Sequence, residues 1–336
     1  MIMQFAVGLP IQHPVGDPVR HFTEVLMLAR AARDCGFDSL WAHQHYLSTP
    51  YQYFQPIPTL ARVAAEAGEM TLAINIILLT LHNPVDMAEQ IATLDIICQG
   101  RLVFGVGLGY REVEYQAFGI DPKTRVSRFV EAVELIKQLW TQDRVSFHGK
   151  HFQLPEVEVT TKPVQKPRPP IWIAANSDAA VKRAARIGDA WSINPHAHLS
   201  TLERQLELYR QALADAGKPF PEVLPLGREL YIARDRETAW KEAEPYLRHK
   251  YEVYVNWGQD KALPESDPLA LPFPELVRDR FIIGDPDDCI AQISRYRDRL
   301  GVTLIGFRVH WPGMEIAKAI QAVELLGEKV LPHFRS

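Results

Sequence analysis

The sequence predicts an α/β fold, a (β/α)8 TIM barrel with insertions, on three observations. Short apolar runs recur along the 336 residues, small or polar residues end each run, and a stretch with helical spacing of apolar residues follows. The eight runs lie at residues 5–9, 39–42, 72–79, 101–107, 171–174, 190–193, 230–233 and 304–309. Because barrels of this kind hold their chemistry at the carboxyl ends of the strands, the residues after each run are the candidate site.

Helices are predicted between these strands. Residues 18–35 repeat apolar side chains at helical spacing, and Gly36 suits the position just after a helix end. Pro84 occupies the favoured first-turn position of another helix. The remaining helices are predicted at residues 58–68, 84–98, 125–140, 178–187, 199–217, 236–256, 286–300 and 314–334. We therefore expect one barrel domain over residues 1–336.

Insertions interrupt the alternation of strands and helices. Residues 144–154 alternate in polarity around a His-Gly-Lys turn, which predicts a β-hairpin after the fourth barrel helix, within an insertion of about 143–170. A second insertion, at about 257–276, is irregular and rich in proline. Residues 46–57 form a long aromatic loop that contains proline, and a long loop in a barrel favours a role in covering the site.

Composition and charge argue against several classes of function. The net charge of -4 and pI near 6.3 give no electrostatic case for nucleic acid or for an anionic membrane surface. The three cysteines, Cys35, Cys98 and Cys289, lack the spacing of a zinc motif or a disulfide framework. Neither a signal sequence nor a run of 18 apolar residues is evident. We expect a cytoplasmic protein.

Two histidines follow the second strand run. His43 and His45 share one face of an extended chain, because side chains alternate with a period of two. They could be a general base with its partner, a pair of metal ligands, or structural residues that close the barrel. His310 follows the eighth run in a comparable position. We expect a functional role for at least one histidine of the pair because of its place at the barrel mouth.

Glycines and one amide mark the third and fourth strand runs. Asn75 interrupts an apolar strand, so its side chain needs a partner, which could be a ligand or the neighbouring backbone. Gly105, Gly107 and Gly109 alternate before Tyr110 without the spacing of a dinucleotide-binding motif. Alternate glycines allow a flat ligand to approach the backbone and also make room inside a barrel. We interpret this segment as lying near a planar ligand.

The fifth run leads directly into a helix through small and capping residues. Ala175, Asn176 and Ser177 precede that helix, and a free helix N-terminus at the barrel top is a good anion site, although every helix also needs ordinary capping. Arg125 begins the preceding long helix and could reach the same anion, or it could be a solvated surface charge. Indoles at Trp41 and Trp191, with others, suit a flat ring and an apolar substrate.

The chain resembles the bacterial luciferase-like family of flavin-dependent oxidoreductases (monooxygenases), which are barrels with insertions. The resemblance extends over nearly the whole chain and is specific for the family rather than for one substrate. Its motifs are Ala42-His-Gln-His45, His82-Asn-Pro-Val85, Ala92-Thr-Leu-Asp95 with Gly100-Arg101, Phe104-Gly-Val-Gly-Leu-Gly-Tyr110 with Ala117-Phe-Gly119, residues 125–140 and 165–173, Gly188-Asp-Ala-Trp191 and Trp311-Pro-Gly313.

The resemblance implies a reduced flavin (FMN) at the barrel mouth or, in a sister branch, a deazaflavin. The family packs the ring system against a bulge in the third strand, here near Asn75 and Ile76. It holds the phosphate at the helix after the fifth strand, and its strand-two histidine matches His45. The first of the two adjacent histidines of luciferase proper aligns with Gln44, so we do not expect its light-emitting aldehyde reaction. Two further luciferase residues, an arginine and a cysteine, align with Leu108 and Gly107.

The expected reaction is oxygen insertion into a small apolar organic substrate. Reduced FMN from a separate NAD(P)H-dependent flavin reductase would react with O2 to form a C4a-peroxyflavin. His45 is the predicted acid/base or ring-edge donor, with His43 or His310 assisting, and the resemblance suggests a homodimer. Three alternatives remain open. They are hydride transfer with a deazaflavin, a metal-dependent hydrolase that adds His196 and His198, and a non-catalytic flavin-binding protein.

Overall fold

The computed structural model describes residues 3–335, with thirteen strands. They are β1 (Gln4–Gly8), β2 (Gln12–Pro14), β3 (Ser39–Ala42), β4 (Tyr51–Tyr53), β5 (Thr71–Leu78), β6 (Leu102–Gly107), β7 (Arg144–His148), β8 (Gln153–Glu158), β9 (Ile171–Ala175), β10 (Ala190–Ile193), β11 (Pro225–Ile232), β12 (Ile282–Gly284) and β13 (Leu304–Arg308). Eight of them pair in parallel in the order β1-β3-β5-β6-β9-β10-β11-β13, and β13 returns to β1. The predicted closed (β/α)8 barrel is therefore confirmed.

Helices surround the barrel and pack their apolar faces on its outer surface. They are α1 (Pro18–Asp34), α2 (Pro56–Val63), α3 (Pro84–Ile97), α4 (Glu112–Ala117), α5 (Arg125–Thr141), α6 (Asp178–Ile187), α7 (Leu199–Asp215), α8 (Arg236–Asn256), α9 (Phe273–Val277), α10 (Pro286–Leu300) and α11 (Ile316–Leu325). One large apolar cluster lies between strands and helices, and a smaller one fills the bottom of the barrel lumen. None of the helices within residues 3–335 is long and apolar enough to span a membrane.

The seventh barrel strand differs from the prediction. Its barrel portion is residues 225–229, which pair with β13, whereas the predicted residues 230–232 leave the barrel and pair with β12. The reason is that Gly227, Arg228 and Glu229 interrupt the apolar pattern although all three belong to the barrel wall. The prediction thus located the strand but assigned its apolar extension to the barrel.

The third barrel strand carries the bulge that the family resemblance implied. The pairing of β5 with β6 shifts register between Ile74 and Ile77, and the peptide bond between Asn75 and Ile76 is cis. A Cβ atom on Gly105 would lie 2.3 Å from the Ile74 carbonyl oxygen, and one on Gly107 would lie 2.7 Å from the Ile76 side chain. The two glycines therefore make room for the bulge of the neighbouring strand.

Two antiparallel pairs of strands lie outside the barrel. β7 and β8 form the predicted hairpin after α5. β4, inside the aromatic loop 46–57, pairs with β2 after the first barrel strand, and the sequence did not predict this ribbon. We refer to strands β2 and β4 together as the β2–β4 ribbon. It brings Tyr53 to the carboxyl end of the barrel, where the candidate site lies.

Candidate active site

His43 and His45 lie together at the carboxyl end of the barrel, as their alternation predicted. The Tyr53 ring packs edge-on against both imidazoles, with centroids 5.2 Å from His43 and 5.6 Å from His45. Tyr110, which follows β6, packs against His45 at 5.8 Å. Trp257 at the end of α8 lies 5.5 Å from His45. Both predicted covering segments, the loop 46–57 and the insertion that begins at residue 257, thus contact this site.

A buried carboxylate orients His45. Glu114 Oε1 lies 3.0 Å from His45 Nδ1 and also accepts the backbone N–H of Tyr46 at 2.9 Å. The carboxylate is only 1 % exposed. Because an ionised carboxylate only accepts hydrogen bonds, His45 Nδ1 carries the proton and Nε2 is left as the exchangeable position. No described residue bonds Nε2, so it is free to exchange a proton with a ligand in the mouth.

Arg111 completes the support of this pair. Its guanidinium donates to Tyr46 O at 2.6 Å, to Leu47 O at 3.0 Å and to Glu114 Oε1 at 3.3 Å. The same group lies 4.1 Å above the Trp257 ring, a cation–π contact. Arg111 therefore ties the start of the aromatic loop and the second insertion to the carboxylate behind His45. Sequence reasoning missed both Arg111 and Glu114, which sit beside the glycine-rich segment at the start of α4.

His43 contacts a different charge. Arg308, the last residue of β13, places Nη2 3.2 Å from His43 Nδ1 and donates from Nη1 to Tyr254 Oη at 3.1 Å. Burial, with the nearby Arg308 charge second, holds the pKa of His43 well below its usual value. A neutral His43 accepts from Arg308 at Nδ1, so Nε2 carries the proton. That buried Nε2 has no partner among the described residues.

The buried charges beside Arg308 do not balance. Glu229 on β11 is opposite Arg308 in the register with β13. Its carboxylate binds the buried Lys250 ammonium and accepts a hydrogen bond from Trp311 Nε1 at 2.6 Å. Burial, reinforced by Arg308, lowers the pKa of Lys250, and the Glu229 charge opposes that shift. Among the described residues Glu229 pairs directly with Lys250, whereas Arg308 bonds only Tyr254 and His43 and contacts no carboxylate. This buried, uncompensated charge favours a negatively charged ligand.

The β5 bulge supplies one wall of the site. Asn75 and Ile76 are partly exposed at the barrel mouth, and Ser192 Oγ on β10 donates to Asn75 Oδ1 at 2.8 Å. This hydrogen bond is the partner that the sequence required for Asn75. The hydroxyl fixes the amide so that its N–H groups point elsewhere, toward the mouth or solvent.

Several buried polar atoms around the mouth have no partner in residues 3–335. They include His43 Nε2, Tyr53 Oη, Tyr110 Oη, Glu114 Oε2 and Asn194 Nδ2, from different segments of the chain. Buried polar groups are nearly always hydrogen-bonded, so such a set in one place indicates a ligand with matching polar edges. A flavin or deazaflavin ring, flat and edged with N and O atoms, fits this set of donors and acceptors.

The phosphate region predicted after the fifth strand contains both neutral and charged groups. Ser177 caps α6 by accepting Ala180 N–H at 3.4 Å, and Gln205 donates to Asn176 O at 2.8 Å. Arg183, on α6, has a buried Nε without a partner in the described chain. Burial, then the charges of Arg186 and Arg125, lower the pKa of Arg183, so Arg125 and Arg183 are near one another. The helix N-terminus capped by Ser177 suits a phosphate, and Arg125 and Arg183 supply positive charge for an anion.

Other predicted site residues lie deeper or elsewhere. Trp41 packs edge-on to Trp172 at 5.9 Å in the lower lumen, beneath His43. Trp191 is fully buried on the outer side of the wall, where its Nε1 donates to Ala175 O at 3.0 Å. His310 donates to Met314 O at 2.9 Å, and its ring lies 5.6 Å from His13 rather than beside His45. A direct role of these three in cofactor binding or catalysis stays a prediction.

The hydrolase alternative gains no support from the arrangement of the histidines. His196 is buried and bonds Tyr251 Oη at 3.0 Å. In residues 3–335, the single cluster of three potential metal-ligating side chains is His13, His21 and Glu24, outside the barrel mouth. His43 and His45 are therefore not part of a three-residue metal-ligating cluster with His196 or His198 in the described chain, as the hydrolase alternative would require.

The relatives of this chain include an F420-dependent dehydrogenase and a flavin-dependent monooxygenase. The F420-dependent glucose-6-phosphate dehydrogenase of Amycolatopsis mediterranei is 28% identical over 335 residues, which cover 93% of this chain and 95% of that protein. The oxygenase component of the flavin-dependent trigonelline monooxygenase of Acinetobacter baylyi is 26% identical and covers 93% of this chain and 90% of its own length.

A solved structure and a family model agree with these relatives. The monooxygenase RslO1 from Streptomyces bottropensis superposes with a TM-score of 0.87 at 27% identity, covering 99% of this chain and 100% of that chain. The model of the luciferase-like monooxygenase family matches residues 3–303. The chain is therefore an enzyme that belongs to the luciferase-like monooxygenase family of oxidoreductases.

Proposed function

We propose that this enzyme is the oxygenase component of a two-component monooxygenase that binds reduced FMN and uses O2 to oxygenate a small apolar organic substrate. The His45–Glu114 pair carries the proposal, because it supplies a proton-exchanging nitrogen beside unpartnered polar atoms at the barrel mouth. The similarity to RslO1 and to the trigonelline oxygenase component supports oxygen chemistry. Bound reduced FMN would supply electrons and the activation of O2.

The side chains of this protein would bind and orient the cofactor and would keep water out of the site. Ile76 and Tyr110 would flank the ring, with the Asn75 amide at its edge, and Asn176, Ser177, Arg125 and Arg183 would hold the phosphate. Tyr53 and Trp257 would cover the mouth and exclude water, since both pack directly on His45. His45 Nε2 would give or take the proton that the reaction requires, while Glu114 stabilises the imidazolium form. Unpartnered His43 Nε2–H would donate to a ligand oxygen or nitrogen.

A second candidate is hydride transfer with the deazaflavin F420. Relatives of that function, among them the Amycolatopsis dehydrogenase, match most of the chain. In this alternative the same His45–Glu114 pair would exchange a proton with an alcohol substrate, and O2 would take no part. The partner would also differ, because the oxygenase needs a separate NAD(P)H-dependent flavin reductase.

Cofactor titration distinguishes the two candidates. Anaerobic titrations of the purified protein with reduced FMN and with reduced F420, followed by fluorescence, should show the tighter binding for FMN. On rapid mixing with O2, protein-bound reduced FMN should reoxidise on a time course different from that of free reduced FMN. Tight binding of reduced F420 without binding of reduced FMN would overturn the proposal and favour the hydride-transfer candidate.

The homodimer remains a prediction. The end of α3 presents Ile96 and Ile97 at 48% and 46% exposure, next to a groove of about 730 Å³ between α2 and α3. Light scattering coupled to size exclusion would give the mass directly. Substituting both isoleucines by lysine should shift a dimer toward the 38.2 kDa monomer, and an unchanged mass would remove this face from the interface.

A further inference from the structure

A cluster of two histidines and a glutamate lies outside the candidate active site. His13 is on β2, and His21 and Glu24 are on the first turns of α1, three residues apart. One nitrogen or oxygen atom from each residue lies within 4.8 Å of the other two. His13 is 2 % exposed, whereas His21 and Glu24 are partly buried. The family resemblance and the proposed function assign nothing to this cluster.

The hydrogen bonds of His13 determine which ring nitrogen carries its proton. His13 Nε2 bonds the carbonyl oxygen of Pro10, and a carbonyl only accepts, so Nε2 is the protonated nitrogen. Nδ1 is then a lone pair in the neutral ring, which burial favours over the imidazolium. That lone pair faces Glu24 Oε2 at 3.8 Å. Two acceptors facing each other lack a positive partner between them.

His21 shows the same pattern. Gln52 is oriented by Gly16 from both sides, since its Oε1 accepts Gly16 N–H at 3.3 Å and its Nε2 donates to Gly16 O at 3.4 Å. His21 Nδ1, 3.3 Å from Gln52 Oε1, is therefore the donor, and Nε2 is the free lone pair. Each histidine thus donates one N–H to an oxygen and keeps the other nitrogen free. Metal-bound imidazoles almost always have this outer hydrogen bond.

We propose that His13 Nδ1, His21 Nε2 and the Glu24 carboxylate bind one Zn²⁺ ion per chain. Two imidazoles, one carboxylate and a water molecule make a common tetrahedral zinc environment. Glu24 Oε1 is already engaged by the exposed Arg20 at 3.3 Å, which leaves Oε2 for the ion. Mg²⁺ and Ca²⁺, which prefer oxygen ligands, would not compete with Zn²⁺ for this donor set.

Closing around an ion requires a small movement of α1 side chains. Bonds of about 2.0 to 2.1 Å to zinc place tetrahedral ligand atoms roughly 3.4 Å apart, compared with up to 4.8 Å here. The imidazoles of His13 and His21 stack at 4.4 Å with planes 6° apart, so one ring must tilt before both lone pairs can meet. His21 is the ring that can tilt, because it is on the partly exposed face of α1.

The bound ion would connect α1 to the β2–β4 ribbon. His13 pairs with Gln52 across that ribbon, and the next residue of β4, Tyr53, packs on both active-site histidines. Zinc would therefore hold the cover of the active site against α1 without contacting the reacting atoms. This role is independent of which cofactor the barrel binds.

The test is a zinc titration of the full-length, tag-free protein after dialysis against EDTA. Competition with a chromophoric chelator should give saturable binding of one Zn²⁺ per chain. His21→Ala and Glu24→Gln, which leave the buried His13 in place, should each weaken the binding at least about tenfold. Zn²⁺ should raise the thermal unfolding midpoint of the unmodified protein but not that of His21→Ala.

A matched control removes another histidine. His148→Ala changes an exposed residue of the β7–β8 hairpin and should bind Zn²⁺ like the unmodified protein. Gln52→Leu removes the outer hydrogen bond of His21, together with the two bonds of Gln52 to Gly16, and should weaken binding by about tenfold while all three ligands stay in place. Absence of one-to-one binding, or an affinity that His21→Ala and Glu24→Gln leave unchanged, would overturn the proposal.

Discussion

Replacing Glu114 with Gln tests the central pair of the active site most directly. The substitution keeps the shape of the side chain but removes the charge that three donors share, namely His45 Nδ1, the Tyr46 N–H and Arg111 Nη1, at 3.0, 2.9 and 3.3 Å. The site is 1 % exposed, so solvent cannot replace the lost charge. Removing one partner of a buried ion pair costs about 3 to 5 kcal/mol.

Arg111 reduces that loss in this protein. Its guanidinium keeps the carbonyls of Tyr46 and Leu47 and the face of Trp257 when Glu114 becomes neutral. We therefore expect the lower end of the range, about 3 kcal/mol in the free energy of unfolding. Turnover should fall by about 10²- to 10⁴-fold, since proton transfer by a positioned side chain contributes that much and the imidazolium form of His45 would lose the negative charge that stabilises it.

Two measurements on the same samples separate stability from function. Urea unfolding followed by tryptophan fluorescence gives the free energy, and oxygen consumption with reduced FMN and a substrate panel gives turnover. Glu112→Gln is the matched control, because it removes an exposed acid from the same helix turn. If Glu114→Gln retains the turnover of the Glu112→Gln protein, the Glu114 charge supports only the loop and does not assist proton transfer at His45.

Three further perturbations test the mouth and its surroundings. Gly105→Ala would place a Cβ atom 2.3 Å from a backbone oxygen of the β5 bulge and should displace that bulge. FMN affinity measured by fluorescence should then fall at least about tenfold. The control Gly227→Ala, whose Cβ would have no atom closer than 3.6 Å, should bind FMN normally. Ser192→Ala removes the hydroxyl that holds Asn75 and should lower the free energy of unfolding by about 1 kcal/mol in urea titrations. Burial lowers the pKa of His82 to about 4 in the folded protein. Between pH 6.5 and pH 4 the imidazole is therefore protonated in the unfolded chain but neutral in the folded one, which favours unfolding. Stability should accordingly fall by up to about 3 kcal/mol from this residue as pH drops from 6.5 to 4, and His82→Asn should flatten that part of the curve.

Periodicity predicted the barrel because most of its strands are apolar on both faces. The seventh strand shows where that signal fails, since Arg228 and Glu229 are 1% and 0% exposed and yet read as loop residues. Their burial is possible because partners arrive from distant parts of the chain, Lys250 and Trp311 for Glu229. A local pattern contains no information about such partners, so it assigned the strand to the apolar residues that follow.

The active-site residues also fall into those that a local sequence pattern reveals and those that only the fold brings together. His45 was found because its position after a strand run is a local property of the chain. Glu114 lies 69 residues further along, and closure of the barrel brings the two together. Arg308 lies inside the predicted strand 304–309 and was not among the predicted site residues. The His13–His21–Glu24 cluster depends on a ribbon that the sequence did not predict.

The buried charges favour an anionic ligand in the barrel mouth. Glu229 pairs with Lys250, Arg308 contacts no carboxylate among the described residues, and the neighbouring His43 is held neutral by burial and by the Arg308 charge, which keep its pKa low. A surplus cation in such a place is unfavourable unless another negative charge approaches it. A reduced flavin ring carries negative charge near neutral pH, so it would balance Arg308 when bound, while the unpartnered His43 Nε2–H would meet an acceptor.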